Sequence, residues 1–463
     1  MKTFKRTLFF FLVLFSVCSQ MPAQPVRPFR DGDRAVFLGN SITDGGHYHS
    51  YIWLYYMTRF PEMNLRIWNA GIGGDTAYDM YKRLDGDVFS KQPTVLMVTF
   101  GMNDTGYAEY NGDNPVEFGE TRYRECYKNY GLMEQRLKAL PHTRIVQVGT
   151  SPYDETAVIE NTPCKGKNAV IRRVVEFQQE SAVRNGWEFT DFNQPMVALN
   201  ERFQQEKPSF SLCGTDRIHP DNDGHMVMAY LFLKAQGFAG KEVARVELDA
   251  KENAVVDAVN CEITDVRKNG KDFRFDYLAY ALPYPMDTVP RGWGAKKAQA
   301  GAAEIVPFIP EMNREILKVT GLSGTYKLLI DGQEVGSWSG ARLAKGINLA
   351  EESKTPQYQQ ALAIMHLNEA RWELEREFRQ YAWIQFGFFQ GKGLLFANNR
   401  EAIEVMDSNL SKNMWLGSHR DLYSKMMYPE VRQAKEKEME VLISAIYSMN
   451  KPVRREVVLR KIR

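Results

Sequence analysis

The chain has 463 residues, of which 44% are hydrophobic and 25% are charged, and its formal net charge at pH 7 is +2. This length leaves room for two or three domains, and this composition is typical of a globular protein. A net charge so close to zero offers no concentrated basic surface, so the composition argues against a nucleic-acid partner.

The first 23 residues have the layout of a secretory signal peptide. Residues 1–6 are basic, residues 7–17 are almost wholly apolar, and small and polar residues follow, including Ala23. The apolar part is too short to span a bilayer, and no later stretch is long and apolar enough to do so. We therefore expect an exported protein, periplasmic or extracellular, that is cleaved near Ala23. Lipid anchoring at Cys18 is the alternative.

Four cysteines follow this leader: Cys126, Cys164, Cys213 and Cys261. An even number in an exported chain permits disulfides, and buried free thiols are the alternative. None of the cysteine spacings suits a zinc site, so we expect neither a metal nor another cofactor. The disulfide pairing and the oligomeric state stay open.

Strand and helix patterns alternate along the first half of the chain. Short apolar runs predict strands at residues 35–38, 65–70, 94–100, 144–149 and 187–191. Apolar residues at helical spacing predict helices at residues 51–60, in a stretch ending near residue 84, and at residues 123–140, 169–185 and 224–236. This alternation predicts a mainly parallel sheet with helices on both faces, in a domain that spans residues 28–240.

The pattern changes after residue 240. Residues 273–282 are rich in aromatic side chains and typical of a strand, and residues 326–330 and 335–338 predict a hairpin around Asp331-Gly332. Long helical patterns follow at residues 355–383 and 428–449. We expect a β-rich accessory region at residues 241–350 and a helical region at residues 351–463.

Residues with catalytic chemistry follow the predicted strands or lie in the last loop of the first domain. Ser41 lies on a turn after the first strand, where its hydroxyl needs a base to become a nucleophile. Asp216 and His219 are three residues apart, which lets the carboxylate orient the imidazole toward the serine. Candidate oxyanion donors are the backbone N–H groups of Ser41 and Gly74 and the side-chain amide of Asn103.

These residues resemble the SGNH, or GDSL-type, serine hydrolase family. The four blocks that carry the resemblance lie in the family's order: Gly39-Asn40-Ser41, Asn69 to Thr76, Gly101-Met102-Asn103-Asp104 and Asp216 to Pro220. The family's first block usually reads Gly-Asp-Ser, so Asn40 is a departure that leaves the nucleophile in place. The resemblance spans residues 33–237 and implies a flavodoxin-like, three-layer α/β/α fold.

The resemblance also implies roles for individual residues. It makes Ser41 the nucleophile, His219 the base and Asp216 the residue that orients the base. Ser41, Gly74 and Asn103 become the oxyanion donors, and no metal takes part.

The implied reaction is ester hydrolysis through an acyl-enzyme. Exported members of the family often remove acetyl groups from plant glycans, so the resemblance favours a carbohydrate acetylesterase whose partner is an acylated oligo- or polysaccharide. The alternatives are a lipid or thioester acyl hydrolase and a non-catalytic glycan-binding protein.

Two groups of side chains after Ser41 have open roles. An aromatic stripe, defined by Tyr48, Tyr51, Trp53, Tyr55 and Tyr56, suits either the core side of a helix or the edge of a sugar-binding cleft. His47 and His49 are predicted to be solvated loop residues, with a place in the substrate cleft as the alternative.

Overall fold

The computed structural model describes residues 23–292 and 294–462. Residues 1–22, which hold most of the predicted signal peptide and the candidate anchor Cys18, lie outside the described residues. Within the described ranges, no helix combines the length and the apolar character needed to cross a bilayer.

The first half of the chain forms a five-stranded sheet. Its strands are β1 (Arg34–Gly39), β2 (Arg66–Gly71), β3 (Val95–Val98), β4 (Arg144–Gly149) and β5 (Glu188–Asp191). They lie in the order β2-β1-β3-β4-β5, and every neighbouring pair is parallel. The strand order reverses beside β1, and open α/β sheets bind their ligands at the carboxyl ends of strands at such a point.

Helices cover both faces of this sheet. They are α1 (Ser41–Asp44), α2 (Tyr48–Arg59), α3 (Ala77–Lys82), α4 (Pro115–Lys138), α5 (Lys167–Asn185), α6 (Asn193–Gln204) and α7 (Asn222–Ala235). Alternate residues of β1 enter different cores: Phe37 packs in the core that includes α2 and α7, whereas Val36 and Leu38 pack in the core that includes α3, α4 and α5. Successive side chains of a strand point to opposite faces of the sheet, so helices pack on both faces. The predicted three-layer α/β/α fold is therefore confirmed.

The aromatic stripe belongs to the hydrophobic core that encloses α2. All five of its side chains are no more than 2% exposed. The helix-core interpretation is therefore confirmed, and the stripe does not line a cleft.

The β-rich region consists of two sheets packed face to face. Its strands are β6 (Ala244–Asp249), β7 (Ala254–Val259), β8 (Cys261–Asn269), β9 (Asp272–Ala279), β10 (Glu315–Thr320), β11 (Thr325–Ile330), β12 (Gln333–Ser339), β13 (Ile347–Asn348) and β14 (Arg455–Lys461). One sheet has the order β13-β10-β6-β7 and the other β12-β11-β14-β9-β8. One hydrophobic cluster joins them, and the predicted hairpin is β11–β12. The region also holds the short helices α8 (Phe308–Met312) and α9 (Gly340–Lys345).

The end of the chain departs from the expected helical region. Strand β14 lies between β9 and β11 and pairs with both in an antiparallel manner. Its Val457 and Leu459 are buried among side chains of strands that lie more than a hundred positions earlier. The predicted bounds of the helical region, 351–463, are therefore wrong at their end, because partners so distant in sequence leave no local pattern at the strand itself.

The helical region is formed by α10 (Pro356–Ala382), α11 (Arg400–Asp407), α12 (Met414–Met426) and α13 (Pro429–Met449). Helix α10 continues as a π-helical segment, Trp383–Phe389. It lies along the free edge of β2, where the backbone N–H of Asn69 donates to Glu375 Oε1 at 2.8 Å. The helical region therefore covers an edge of the first sheet that would otherwise stay unpaired.

Candidate active site

Ser41 lies on a tight turn between β1 and α1. Asn40 is the N-cap of α1, and its Oδ1 accepts the backbone N–H of Ile42 at 3.0 Å. At Gly39 a Cβ atom would lie 2.1 Å from Thr43 Oγ1, so only glycine fits there. The turn therefore presents Ser41 at the carboxyl edge of the sheet.

Ser41, His219 and Asp216 form a chain of hydrogen bonds. His219 Nε2 lies 2.7 Å from Ser41 Oγ, and His219 Nδ1 lies 2.5 Å from Asp216 Oδ2. The other oxygen, Asp216 Oδ1, accepts the backbone N–H groups of Ile218 and His219 at 2.9 Å each. The three predicted residues are thus brought together with the geometry that a serine, a general base and an orienting carboxylate need.

Asp216 is held in its charged form. Partial burial favours the protonated carboxyl, but the hydrogen bond and the charge of His219, together with the two backbone N–H donors, outweigh it. The pKa of Asp216 is therefore below its ordinary value. An ionised Asp216 places the imidazole proton on Nδ1 and leaves the Nε2 lone pair for the serine hydroxyl.

The two other predicted oxyanion donors face the same edge. Gly74 is exposed, has a φ of +86°, and has no atom within 4 Å of the position a Cβ would take. Asn103 Nδ2 donates one hydrogen to the Asp75 carbonyl at 2.9 Å, and its Oδ1 accepts the Tyr107 hydroxyl at 2.7 Å. These two contacts fix the amide plane, and the amide has a second N–H to offer a ligand.

A buried lysine that the sequence patterns did not single out supports the Asn103 loop. Lys167 is fully buried, and its ammonium donates to Met102 O, Thr105 Oγ1 and Gly106 O at 2.6–2.7 Å. It also lies 4.0 Å from the ring centre of Tyr107, whose hydroxyl holds Asn103. Burial lowers the pKa of Lys167 to about 7. Nothing in its helical surroundings marks this lysine in the sequence.

Arg83 ties together the turns that carry the site. Its Nη2 donates to the carbonyls of Gly39 at 3.1 Å and Ala70 at 2.8 Å, and its Nε lies 2.6 Å from Asp75 Oδ2. The side chain is 1% exposed and also pairs with Asp87. Because Gly39 precedes Ser41 and Asp75 follows Gly74, one buried guanidinium fixes the Ser41 turn relative to the Gly74 turn.

Asp44 braces the same two turns from the other side. Its Oδ2 accepts the backbone N–H of Gly73 at 3.0 Å. Burial raises the pKa of Asp44 to about 6 against the opposing charges of Arg379, Arg83 and Arg376. Asp44 therefore braces the turn that carries Ser41.

The histidines that follow Ser41 are buried, so the prediction of solvated loop residues is wrong. His47 is 1% exposed, stacks on Trp372 of α10 at a ring-centre distance of 3.8 Å, and has its Nε2 3.2 Å from Glu369 Oε2. His49 is fully buried, with its Nε2 3.2 Å from the Thr43 carbonyl. Neither lines a cleft, because α10 and the core enclose them.

The four cysteines of the described chain are free thiols, three of them buried and Cys261 partly exposed. No group of three or more His, Cys, Asp or Glu side chains in residues 23–292 and 294–462 is arranged to hold a metal ion.

Two family models match this chain. The GDSL-like lipase/acylhydrolase family matches residues 37–227, and the diltiazem deacetylase C-terminal helical domain matches residues 362–451. The solved structure of a gut microbial diltiazem-metabolizing enzyme is 71% identical, covers 95% of this chain and 100% of its own, and superposes with a TM-score of 0.93.

A second group of relatives is similar only to the first domain. An acetylxylan esterase from Geobacillus stearothermophilus is 28% identical over 222 residues, which cover 45% of this chain and 95% of the relative. A solved acetylxylan esterase from the same organism is 23% identical over 45% of this chain and 96% of its own, with a TM-score of 0.37.

The fold, the order of the four blocks and the relative that matches nearly the whole chain define the class of the protein. The chain belongs to the SGNH family of GDSL-like lipases and acylhydrolases. It is an esterase.

Proposed function

We propose that this protein is an exported serine esterase that removes short acyl groups, above all acetyl, through an acyl-enzyme on Ser41. The observation that carries the proposal is the hydrogen-bonded chain from Ser41 Oγ through His219 to Asp216, with distances of 2.7 and 2.5 Å. The non-catalytic alternative is disfavoured, because a vestigial site has no need to keep this geometry. Export rests on the layout of the first 23 residues.

The proposed reaction has two halves. His219 Nε2 takes the proton of Ser41 as Oγ attacks the ester carbonyl, and Asp216 stabilises the imidazolium that forms. The oxyanion is held by the backbone N–H groups of Ser41 and Gly74 and by the free N–H of Asn103. The alcohol leaves with the proton from His219, and a water activated by the same imidazole then releases the acid.

The alcohol part of the ester has two candidates, each favoured by a relative. The acetylxylan esterase supports an acetylated saccharide, the substrate class that the sequence patterns favour. The diltiazem-metabolizing enzyme, which matches nearly the whole chain, and the diltiazem deacetylase helical domain support diltiazem, an acetate ester of a bulky alcohol with aromatic rings. The buried aromatic stripe no longer supports a sugar platform. Acetyl removal is common to both candidates and is therefore the centre of the proposal.

The first test is substitution of the nucleophile. Ser41→Ala is expected to abolish hydrolysis of 4-nitrophenyl acetate and labelling by a fluorophosphonate while the circular dichroism spectrum stays unchanged. Ser90→Ala, at an exposed serine, is the matched control and should keep full activity. Turnover by Ser41→Ala equal to that of the unmodified protein would refute the assignment.

A second test separates the substrate classes. Acetate release is measured from acetylated xylo-oligosaccharides and from diltiazem, and hydrolysis of 4-nitrophenyl esters is followed from acetyl to decanoyl. We expect the rate to fall as the acyl chain lengthens. Rates that rise with chain length would favour the lipid or thioester acyl hydrolase instead.

A further inference from the structure

An indole from the helical region lies beside the nucleophile. Trp383 begins the π-helical segment that follows α10, and it is only partly buried. A Cβ atom at Gly73 would lie 4.0 Å from Ser41 Cβ and 3.9 Å from Trp383 Cδ1. The space in front of Gly73 is thus bordered by the serine, by the indole and by the Asp44 carboxylate, whose Oδ2 lies 3.5 Å from the same position.

Two glycines lie beside this edge of the indole. A Cβ atom at Gly387 would lie 3.8 Å from Trp383 Nε1 and 3.9 Å from Trp383 Cδ1, and Gly387 is exposed. Since Gly73 and Gly387 both lack a side chain, neither of them covers the Cδ1 edge, and Gly387 borders solvent. A side chain at either position would cover it.

The indole is backed by a fixed imidazole from α12. The rings of Trp383 and His419 have centres 4.8 Å apart and planes inclined by 31°. His419 Nδ1 lies 2.7 Å from the Trp415 carbonyl and 2.8 Å from Ser418 Oγ, which holds the ring in place. The pair forms a rigid, largely apolar wall, a surface that suits a flat apolar group.

We propose that Trp383, backed by His419, is the wall of a subsite that holds a flat apolar face in the alcohol part of the ester. The helical region thereby selects the substrate, whereas the first domain supplies the chemistry. This inference rests on the proposed esterase function, and it deepens that function by naming the residues that recognise the alcohol. The face in question is either an aromatic ring or the C–H face of a pyranose, since both stack on an indole.

The wall suits the alcohol better than the acyl group. An acetyl group ends in one methyl, which a single residue can enclose, whereas this wall presents an extended indole surface that borders solvent at Gly387. The alcohol is the larger part of the substrate, so it is the part that can cover the wall.

The experiment compares acetate esters that differ in the alcohol, and each variant is referred to the unmodified protein on the same ester. The kcat/KM of Trp383→Ala relative to the unmodified protein is measured on benzyl acetate, on a singly acetylated methyl xyloside and on ethyl acetate, which has no flat face. We expect a loss of about tenfold on the stacking substrates, mainly in KM, and less than about twofold on ethyl acetate. A larger loss on benzyl acetate would indicate an aromatic alcohol, and a larger loss on the xyloside would indicate a saccharide alcohol.

Three variants complete the design. Trp383→Phe should keep most of the benzyl acetate activity, and Gly387→Ala should lower it without touching ethyl acetate, because the new methyl covers the indole edge. Tyr428→Ala is the matched control, since Tyr428 is an aromatic residue of the same region with 54% exposure. It should behave as the unmodified protein on all substrates.

Two results would overturn the inference. One is an equal loss on ethyl and benzyl acetate, and the other is faster hydrolysis of ethyl butyrate or hexanoate by Trp383→Ala, which would place the wall at the acyl group.

Failure of the esterase proposal is recognised separately, as absence of ethyl acetate turnover by the unmodified protein. In that case saturation-transfer NMR of benzyl acetate on Ser41→Ala, with and without Trp383→Ala, decides: weaker binding without the indole supports the wall, and equal binding refutes it.

Discussion

The guanidinium of Arg379, in α10, forms a two-point ion pair with the carboxylate of Asp87, in the first domain. Nη1 lies 2.8 Å from Oδ1 and Nη2 lies 2.7 Å from Oδ2, and both side chains are at most 5% exposed. Burial opposes the charge of Asp87, but Arg379, Lys91 and Arg83 overcome it and hold the pKa of Asp87 well below its usual range. Arg379 Nε also donates to the Gly71 carbonyl at the end of β2 at 2.9 Å.

Removal of Arg379 should therefore destabilise the protein. Arg379→Met removes one of the cations that neutralise the buried carboxylate of Asp87, and this lowers the free energy of unfolding by about 3 kcal/mol. Arg379→Lys should recover part of this, because it keeps the charge but not the two-point contact. Urea unfolding at pH 7 measures the effect. Arg400→Met, at an arginine with 92% side-chain exposure, is the control and should leave the midpoint unchanged. An unshifted midpoint in Arg379→Met would show that the pair does not contribute to stability.

Asn103→Ala should slow the chemical step. If the free N–H of the amide holds the oxyanion, its loss lowers kcat about 10²–10³-fold with little change in KM. Tyr107→Phe, which removes the hydroxyl that holds Asn103 Oδ1, should give a smaller fall in kcat. Steady-state kinetics on 4-nitrophenyl acetate measures both variants. A defect confined to KM would assign Asn103 to substrate binding instead.

Asn40→Asp should keep most of the activity. The new carboxylate keeps an oxygen for the backbone N–H of Ile42 and places a negative charge at the N-terminus of α1, which the helix tolerates. Asn40→Ala should lose about 1 kcal/mol of stability, because the cap disappears. Thermal unfolding together with 4-nitrophenyl acetate hydrolysis tests both changes. Inactivity of the aspartate variant would mean that the amide nitrogen of Asn40 has a role in the site.

Acid should destabilise the protein through His49. Burial lowers the pKa of His49 from 6.5 to about 4, so between these values the unfolded chain binds a proton that the folded protein does not. The contribution of neutral His49 to the free energy of unfolding is therefore complete above pH 6.5 and is lost as the pH falls toward 4. The loss amounts to at most about 3 kcal/mol.

His49→Gln isolates this effect. The variant removes the titrating group and keeps an amide donor for the Thr43 carbonyl. Urea midpoints measured from pH 7 to pH 4 should fall less steeply in the variant, whereas His366→Gln, at an exposed histidine, should follow the unmodified protein. Asp44, whose pKa is raised to about 6, changes the free energy of unfolding in the opposite direction over the same pH range. Because Asp44 is present in all three proteins, its effect cancels in the comparison. Parallel curves for His49→Gln and the unmodified protein would contradict the prediction.

The fold of the first domain and the place of the site could be predicted because both depend on local patterns. Short apolar runs define the parallel strands, and parallel strands bring their carboxyl ends to one edge. Ser41, Gly74 and Asn103 each follow such a strand, so their convergence is a consequence of strand order. Asp216 and His219 share one loop, and their spacing of three residues lets them meet without help from elsewhere.

Residues that act through distant partners left no such pattern. Arg371, Glu375 and Arg379 recur at helical spacing on α10, which in a sequence is typical of a solvated helix face. In the structure all three are buried against the first domain. The same enclosure buries His47 and His49, which the sequence alone placed in a loop open to solvent.

The amino-acid sequence by itself determined the class of chemistry, because candidates for a nucleophile, a base, an orienting acid and oxyanion donors can be predicted from residue type and from position after a strand. Only the tertiary structure decided what surrounds that chemistry. In the tertiary structure α10 lies along the free edge of β2, β14 lies between β9 and β11, and Trp383 lies beside Ser41. Each of these contacts joins segments far apart in the chain, and the free energy of burial that selects them depends on partners that no local window contains.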